Sequence, residues 1–446
     1  MSELIISVSG LRGVVGETLT AEVAVRYASA FAAFAPEGKI LVTRDGRESG
    51  EMLTEAICRG LQSAGRDTVD GGVAATPTTG VLLRDIGAAG GIQITASHNP
   101  APYNGLKLFS RQGRVIPGVE GEKVLDLYNN PKPTAAAETP GKPLDCGDTT
   151  AAHLEAVLGT VDAERIRGRK FKVLLDSNHG SGSVLGRRLL ESLGCEVTIL
   201  GEQPNGRFAH TPEPTAENLA GVLSAVETSG ADIGFCQDPD ADRLAVIDAA
   251  GRYLGEEYTL AMCVDHVLRE RVGPVVTNCS SSRMSQDVAE KYGASLFRSA
   301  VGEANVVDTM IAKEAVFGGE GNGGPIDPRV GFVRDSFVGM AQLLDAMAAR
   351  ELPISALADE LPRYEIVKTK ITLAKEKVAA GLDALEKHFS DAAADRLDGL
   401  RLDWPDGWLL VRASNTEPVV RAIAEAKSND QASEWCATAA EVLAGV

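Results

Sequence analysis

The stretch KVLLDSNHGSGSVLGRRLLESLGCEVTIL (residues 172–200) sets a β-rich run before a polar break, a helical segment through Leu193 and a second β-rich run. The same order recurs around KILVTRD (39–45) and around PVVTNCS (274–280). A strand, a helix and a strand of this length form a βαβ unit, whose strands pair in parallel. Because a repeated unit indicates related domains, three copies predict three related α/β domains.

The last part of the chain has a different character. After ELPRYEIVKTKITLA (360–374) the pattern predicts helix, strand, turn, strand and helix, with strands at 408–413 and 419–426. This order is typical of a small α+β domain. A Pro-, Ala- and Thr-rich segment at 129–143 and a turn near 249–254 indicate further boundaries. We therefore expect four domains, at residues 1–145, 146–250, 251–365 and 366–446.

Composition and charge argue against two classes of partner. The 446 residues carry 44 Lys and Arg against 62 Asp and Glu, a net charge of −18, with 44% apolar residues. Such a surface repels nucleic acid and anionic membranes, and no apolar run is long enough to span a bilayer. We expect neither partner, and we expect an anionic substrate to be drawn in by a local basic site.

The cysteines indicate a reducing compartment. Seven are scattered along the chain without a CxxC pair, so a disulfide framework or a zinc site is not expected. The first residues, MSELIISVSGLRG, do not have the pattern of a secretion signal. We therefore expect a cytoplasmic protein, acting as a monomer or a homodimer.

Three carboxylates stand close together in ADIGFCQDPDADRLAVIDAAG (231–251), where two apolar runs flank Asp238, Asp240 and Asp242. Carboxylates at this spacing repel one another unless a cation lies between them, and a small set of oxygen ligands suits Mg²⁺. A calcium EF-hand is excluded by Arg243 and Ala249 at the positions that need Gly and Glu. The alternative is a solvated acidic turn.

A glycine-rich segment, FGGEGNGGPI (317–326), surrounds Glu320 and Asn322 with five glycines. Glycine lets the backbone approach a ligand closely, and a carboxylate beside an amide suits a sugar diol. A flexible loop without a ligand is the alternative.

Two arginines bracket short donors in VRASNTEPVVR (411–421). Charge-assisted arginine contacts together with hydroxyl and amide donors are suited to a phosphate dianion. The alternative is a solvated hairpin turn. The residues concerned are Arg412, Ser414, Asn415, Thr416 and Arg421.

A serine and a histidine follow a short apolar run in GIQITASHNPAPYNGLKLF (91–109). A hydrolase pair is not favoured, because no G-x-S-x-G turn is present and no third orienting group is identifiable. Near a Mg²⁺ site and a phosphate clamp, Ser97 is better explained as a covalent carrier of phosphate.

Five motifs occur in one order: SGLRG (9–13), TASHNP with NGLK (95–107), DPDADR (238–243), GGEGNGG (318–324) and RASNTEP (412–418). Together they resemble the α-D-phosphohexomutase superfamily of phosphoglucomutases, phosphomannomutases and phosphoglucosamine mutases. The resemblance implies three α/β domains with mixed sheets and a smaller C-terminal α+β domain around a central cleft.

The resemblance also implies residue roles. Ser97 would be the phosphoserine and, with the three aspartates, would hold one Mg²⁺ per chain. The reacting phosphoryl group would be surrounded by Arg12, His98, Lys107 and Arg243, with His98 and Lys107 as acid–base candidates. Glu320 and Asn322 would bind sugar hydroxyls, and the arginine-bracketed loop would bind the distal phosphate.

The implied activity interconverts hexose 6-phosphate and hexose 1-phosphate through a 1,6-bisphosphate, which would also be the activator. We favour phosphoglucosamine mutase over a phosphomannomutase/phosphoglucomutase, by resemblance only. Asn322 and Gly324 depart from the family's frequent GE-x-SG-H loop, which weakens the transfer of a sugar specificity from the family to this chain. Rival hypotheses are an aspartyl-phosphatase with Asp238 as nucleophile, and a sugar-phosphate sensor without turnover.

Overall fold

A computed structural model of the protein describes residues 4–7, 10–131, 137–413 and 419–446. They form four sheets in chain order, three of them mixed and the last antiparallel. The α/β fold class and the added C-terminal α+β unit are therefore confirmed. In the described part of the chain, no helix combines the length and the apolar character needed to cross a membrane.

The first sheet has the strand order β1-β2-β6-β5-β3-β4-β7. Its parallel part, β4-β3-β5, continues into antiparallel β6, β2 and β1. The fully buried residues of β5 fit a central strand. The strands are β1 Ile5–Ser7, β2 Gly10–Val14, β3 Ile40–Arg44, β4 Thr68–Val73, β5 Gly90–Ile94, β6 Tyr103–Ser110 and β7 Pro143–Leu144; the helices are α1 Ala21–Phe34, α2 Gly50–Ser63, α3 Thr76–Asp85 and α4 Gly118–Asn129.

The second and third sheets share one topology. In each, three parallel strands end in an antiparallel hairpin strand, in the orders β9-β8-β10-β11 and β13-β12-β14-β15. The second sheet comprises β8 Lys172–Asp176, β9 Glu196–Leu200, β10 Ile233–Gln237 and β11 Leu244–Asp248, with α5 Ala151–Leu158, α6 Ala163–Arg169, α7 Gly182–Ser192 and α8 Ala220–Ser229. The third comprises β12 Val275–Asn278, β13 Leu296–Ser299, β14 Phe317–Glu320 and β15 Gly324–Ile326, with α9 Glu256–Glu270, α10 Met284–Lys291, α11 Glu303–Ala312, α12 Ser336–Arg350 and α13 Ile354–Asp359.

Helix α12 joins these two units into one core. It begins after Asp335, whose carboxylate accepts the backbone N–H groups of Phe337 and Val338 at 2.9 and 3.2 Å. The helix is buried from Ser336 to Ala348, and a single apolar cluster runs from the second sheet through this helix to the third. We infer that the two units resist separation, since parting them would expose this cluster.

The C-terminal sheet has the order β16-β20-β19-β18-β17, with antiparallel neighbours throughout. It rests on the third unit through Asp398, whose Oδ2 accepts Val301 N at 2.9 Å and Arg412 Nε at 3.0 Å. The elements are β16 Glu365–Thr372, β17 Ala393–Asp395, β18 Leu400–Trp404, β19 Gly407–Ala413, β20 Val419–Ala426, α14 Val378–His388 and α15 Asn429–Ala444.

Candidate functional site

Three loops of related position form the site. Each joins the last parallel strand of a sheet to its antiparallel partner, as β5–β6, β10–β11 and β14–β15 do. In open α/β sheets ligands bind beyond the carboxyl ends of parallel strands. The serine and aspartate motifs follow such a strand end, and the glycine-rich motif spans the end of β14, so repetition of one unit brings three kinds of chemistry to one cleft.

Ser97 is held in a left-handed backbone conformation, with φ at 49°. Arg47 fixes the backbone of this loop by donating hydrogen bonds to the carbonyl oxygens of Ser97 and Asn99 at 2.7 Å each. The Oγ atom of Ser97 lies 3.0 Å from Asp238 Oδ2, across the boundary between the first two sheets, and 3.3 Å from His98 Nδ1. The serine hydroxyl therefore faces the acidic loop directly.

The three aspartates are fully buried, and one oxygen from each lies within 4.8 Å of the others. Asp238 Oδ1 accepts the N–H groups of Asp242 and Arg243 at 3.1 Å each. Among the described residues, Asp240 Oδ1 and Asp242 Oδ1 have no hydrogen-bond partner. Buried carboxylate oxygens without partners are costly, so this cluster fits a divalent cation.

Lys107 lies beside the cluster, with Nζ 3.0 Å from Asp240 Oδ2 and 3.0 Å from Asp242 Oδ2. Burial alone would lower the pKa of this amine, but the two carboxylates raise it. Burial raises the pKa of Asp238, helped by Asp240 and Asp242. Against its own burial, Asp240 has a lowered pKa because of Lys107 and a 2.6 Å hydrogen bond from Thr76. Lys107 is thus an ammonium in this arrangement.

His98 is neutral, in contrast to the charged Lys107. Burial and the nearby Arg243 and Arg12 together lower its pKa to about 3, with burial as the largest cause. Arg12 lies 3.3 Å from Asn99 Oδ1, whereas Arg243 makes only distant ion pairs, at 3.9 Å or more. The Arg243 donors are therefore available to an anion in the cleft.

The glycine-rich loop packs against the aspartate loop. Gly323 has φ at +76°, and its carbonyl accepts Leu244 N at 2.8 Å. A side chain there would meet Leu244 O at 2.2 Å, which explains the glycine. Glu320 has both oxygens engaged: Oε1 accepts from Asn278 at 2.8 Å, and Oε2 accepts from Arg334 at 2.8 Å.

Arg334 and Glu303 are site residues that the sequence analysis missed. The buried Arg334 donates to Asp242 Oδ2 at 2.6 Å and to Glu303 Oε2 at 3.1 Å, in addition to Glu320. Its three carboxylate neighbours raise its pKa against the effect of burial. One guanidinium therefore connects the aspartate loop with the glycine-rich loop. The partners lie far apart in sequence, so no local pattern could have revealed the group.

A transverse row of cations lies on the C-terminal sheet. Lys370 on β16 pairs with Arg421 on β20, which in turn pairs with Arg412 on β19. All three line one cavity together with Lys368. Like charges on directly opposed positions are unfavourable unless an anion lies over them. The predicted Ser414, Asn415 and Thr416 lie outside the described residues.

Two connected cavities form the cleft. One of about 650 Å³ is lined by residues of all three α/β units and by Arg412; the other, of about 570 Å³, is lined by the cation row. They share several walls, among them Glu320 and Asn322. Of the predicted residues, the larger cavity has in its lining Arg12, His98, Lys107, Arg243, Glu320, Asn322 and Arg412, and the smaller adds Arg421.

Four family models match the chain in succession: phosphoglucomutase/phosphomannomutase alpha/beta/alpha domains I (4–134), II (151–251) and III (256–364), and the C-terminal domain (369–442).

Individual relatives agree along the whole chain. A "Phosphoglucomutase/phosphomannomutase" of Thermococcus kodakarensis is 37% identical over 436 residues, covering 96% of this chain and 95% of its own. A "Probable phosphoglucosamine mutase" of the same organism is 34% identical, at 96% and 95% coverage. The crystal structure of a phosphoglucomutase/phosphomannomutase family protein from Burkholderia thailandensis superposes with a TM-score of 0.86 at 28% identity, covering 98% of each chain.

Proposed function

The chain belongs to the phosphoglucomutase/phosphomannomutase family and is a phosphohexomutase, and on that premise we propose that it is a phosphoglucosamine mutase acting through phosphorylated Ser97. The observation that carries the proposal is the position of Ser97 Oγ, 3.0 Å from Asp238 of the buried acidic cluster and 3.3 Å from His98, which lines the cation-rich cleft. A phosphomannomutase/phosphoglucomutase activity is the alternative, supported by the name of the 37%-identical relative.

The reaction exchanges one phosphoryl group at a time. The P–O bond to Ser97 breaks as a sugar hydroxyl forms a new P–O bond, giving a hexose 1,6-bisphosphate. The hydroxyl proton passes to a neighbouring base, for which neutral His98, 3.3 Å from Ser97 Oγ, is the candidate, while the Lys107 ammonium would supply the proton that the departing Ser97 oxygen needs. The bisphosphate then reorients in the cleft, its other phosphoryl group returns to Ser97, and both protons are given back.

The metal set would be Asp238, Asp240 and Asp242 with an oxygen of phosphorylated Ser97. When bound, one Mg²⁺ supplies charge compensation for the transferring phosphoryl group. Arg243 and Arg12 would bind the phosphoryl oxygens from the other side. The unpartnered Oδ1 atoms of Asp240 and Asp242 support this assignment. A trace of hexose 1,6-bisphosphate would phosphorylate resting enzyme, and so act as activator.

The non-reacting phosphate would lie on the C-terminal sheet, held by Arg412, Arg421 and the loop with Ser414, Asn415 and Thr416. The strand pairing that places Lys370 beside Arg421 supports adding this lysine to the clamp. Glu320 and Asn322 would hold sugar hydroxyls between the two phosphate sites.

We propose that the first three domains end at residues 145, 250 and 365.

The test is turnover of glucosamine 1-phosphate, glucose 1-phosphate and mannose 1-phosphate with Mg²⁺ and a trace of hexose 1,6-bisphosphate. We expect isomerisation with the highest kcat/KM on the amino sugar. Ser97→Ala should abolish it, while Ser63→Ala, an exposed serine on α2, should not. Release of inorganic phosphate with full activity in Ser97→Ala would instead support an aspartyl-phosphatase, and binding without turnover would support a sensor.

A further inference from the structure

Glu303 lines the substrate cleft and has one carboxylate oxygen without a partner among the described residues. It is the first residue of α11 and is only 9% exposed, yet it lines the larger cavity. Its Oε2 accepts from Arg334 at 3.1 Å. Within the described residues, its Oε1 is buried without a hydrogen-bond partner. A buried, ionisable oxygen in this position calls for a donor that the protein does not itself provide.

The neighbouring carboxylate does not have the same freedom. Glu320 accepts from Asn278, Gly302 and Arg334 at 2.8, 3.1 and 2.8 Å, so its two oxygens are held in the loop. Asn322, which lines the same cavity, also has a buried Oδ1 without a partner among the described residues. In the described part of the chain, Glu303 Oε1 and Asn322 Oδ1 are therefore acceptors on this side of the cleft to which no protein group donates.

Charge on this side of the cleft is negative. Two cations, Arg334 and Lys107, are placed against the four carboxylates of Asp240, Asp242, Glu303 and Glu320, whereas the phosphate sites are lined by other cations. A ligand that matches both regions carries phosphate at one end and a positive charge on its ring. An ammonium group brings that charge and three donors, whereas a ring hydroxyl brings one donor and no charge.

We propose that Glu303 binds the 2-ammonium group of a hexosamine phosphate through Oε1 and gives the enzyme its preference for an amino sugar over neutral hexose phosphates. The inference rests on the proposed mutase function. It makes Glu303 a specificity-determining residue of this chain, held in place by Arg334.

The first experiment is Glu303→Gln, which keeps an acceptor oxygen and removes the charge. For glucosamine 1-phosphate we expect kcat/KM to fall about ten- to a hundredfold, the range for a hydrogen bond to a charged group. For glucose 1-phosphate we expect a change of less than about threefold, which is small on the same scale. Glu314→Gln, the same charge change on an exposed residue just beyond α11, should leave both values unaltered.

A second measurement uses the unaltered enzyme and so does not depend on folding of the variant. If Glu303 recognises the ammonium group, 2-deoxyglucose 1-phosphate and glucose 1-phosphate should have similar kcat/KM values. Both values should lie well below the kcat/KM for glucosamine 1-phosphate. A much lower kcat/KM for 2-deoxyglucose 1-phosphate than for glucose 1-phosphate would show that the enzyme recognises a hydroxyl at this position and would overturn the proposal.

The outcomes separate the two hypotheses. If Glu303→Gln leaves the ratio of kcat/KM between glucosamine 1-phosphate and glucose 1-phosphate unchanged, the role of Glu303 is overturned and the mutase assignment stays intact. Wild-type enzyme that isomerises only neutral hexose phosphates would also overturn the role of Glu303. Wild-type enzyme that isomerises no hexose phosphate would overturn both.

Discussion

Replacement of Arg334 by methionine tests whether one buried cation holds the site together. The guanidinium lies 2.6 to 3.1 Å from Asp242, Glu320 and Glu303, and the four side chains are at most 10% exposed. Methionine fills similar space without charge. Removing one partner of a buried ion pair costs about 3–5 kcal/mol, because it leaves the other charge uncompensated. We expect a loss at the upper end of that range, since three carboxylates are affected.

Thermal unfolding followed by calorimetry gives the readout. The second and third units share one core, and for a unit of 150–250 residues about 1 kcal/mol shifts Tm by roughly 2–4 °C. We therefore expect the transition of this unit to fall by about 10 °C or more in Arg334→Met. Added Mg²⁺ should recover part of the loss, because a bound cation would compensate Asp242.

The matched control is Arg363→Met, which removes an exposed arginine 2.9 Å from Asp359. Exposed ion pairs contribute about 0–1 kcal/mol, so its Tm should stay within about 4 °C of wild type. If Arg334→Met melts no lower than this control, the carboxylates do not depend on Arg334, and its connecting role is refuted.

Three further outcomes are expected. Mg²⁺ should raise the Tm of the wild type but not of Asp240→Asn, because Asp240 Oδ1 is an open ligand; an equal rise in both would contradict the metal assignment. Lys370→Ala should raise KM about tenfold with little change in kcat, by loss of a charged phosphate contact, whereas Lys375→Ala outside the row should change neither. Burial raises the pKa of Glu257 to about 8, whereas in the unfolded chain this carboxyl releases its proton near pH 4.5. Between these two pH values the folded protein binds one proton more than the unfolded chain, so the free energy of unfolding should fall as pH rises. In metal-free buffer, Glu257→Gln should flatten that fall in Tm, and the same slope in the variant and the wild type would exclude Glu257 as its source.

The sequence predicted the repeated units because their signals are local. Each β-rich run and the helix after it occupy the expected residues, and β3–β4, β8–β9 and β12–β13 pair in parallel as expected. The strands of the C-terminal sheet were predicted only in part: β19 and β20 were expected, whereas β16, β17 and β18 were not. Strand β16, EIVKTKIT, is nowhere fully buried, and its lysines gave it the composition of a connecting segment.

The candidate site shows the same limit. The aspartates are two residues apart, so their repulsion could be read from the sequence. Arg334 is 92 residues from Asp242 and 31 from Glu303, and the row with Lys370 exists only through strand pairing. Asn104, Gly105 and Lys107, which follow the serine motif, lie in β6. That strand carries Lys107 to the aspartates, a contact that depends on how two domains pack.

The equal placement of the three loops bears on redesign of the enzyme. Loops at matching hairpins invite exchange of one segment, such as 318–324, to transplant a new sugar preference. The contacts argue against so simple a graft, because Gly323 is hydrogen-bonded to Leu244 and Arg334 holds Glu320 together with Asp242. A transplanted loop would have to be accompanied by the donor's residues at positions 303 and 334. Otherwise the change would break the contacts that hold Asp242 in the candidate metal site.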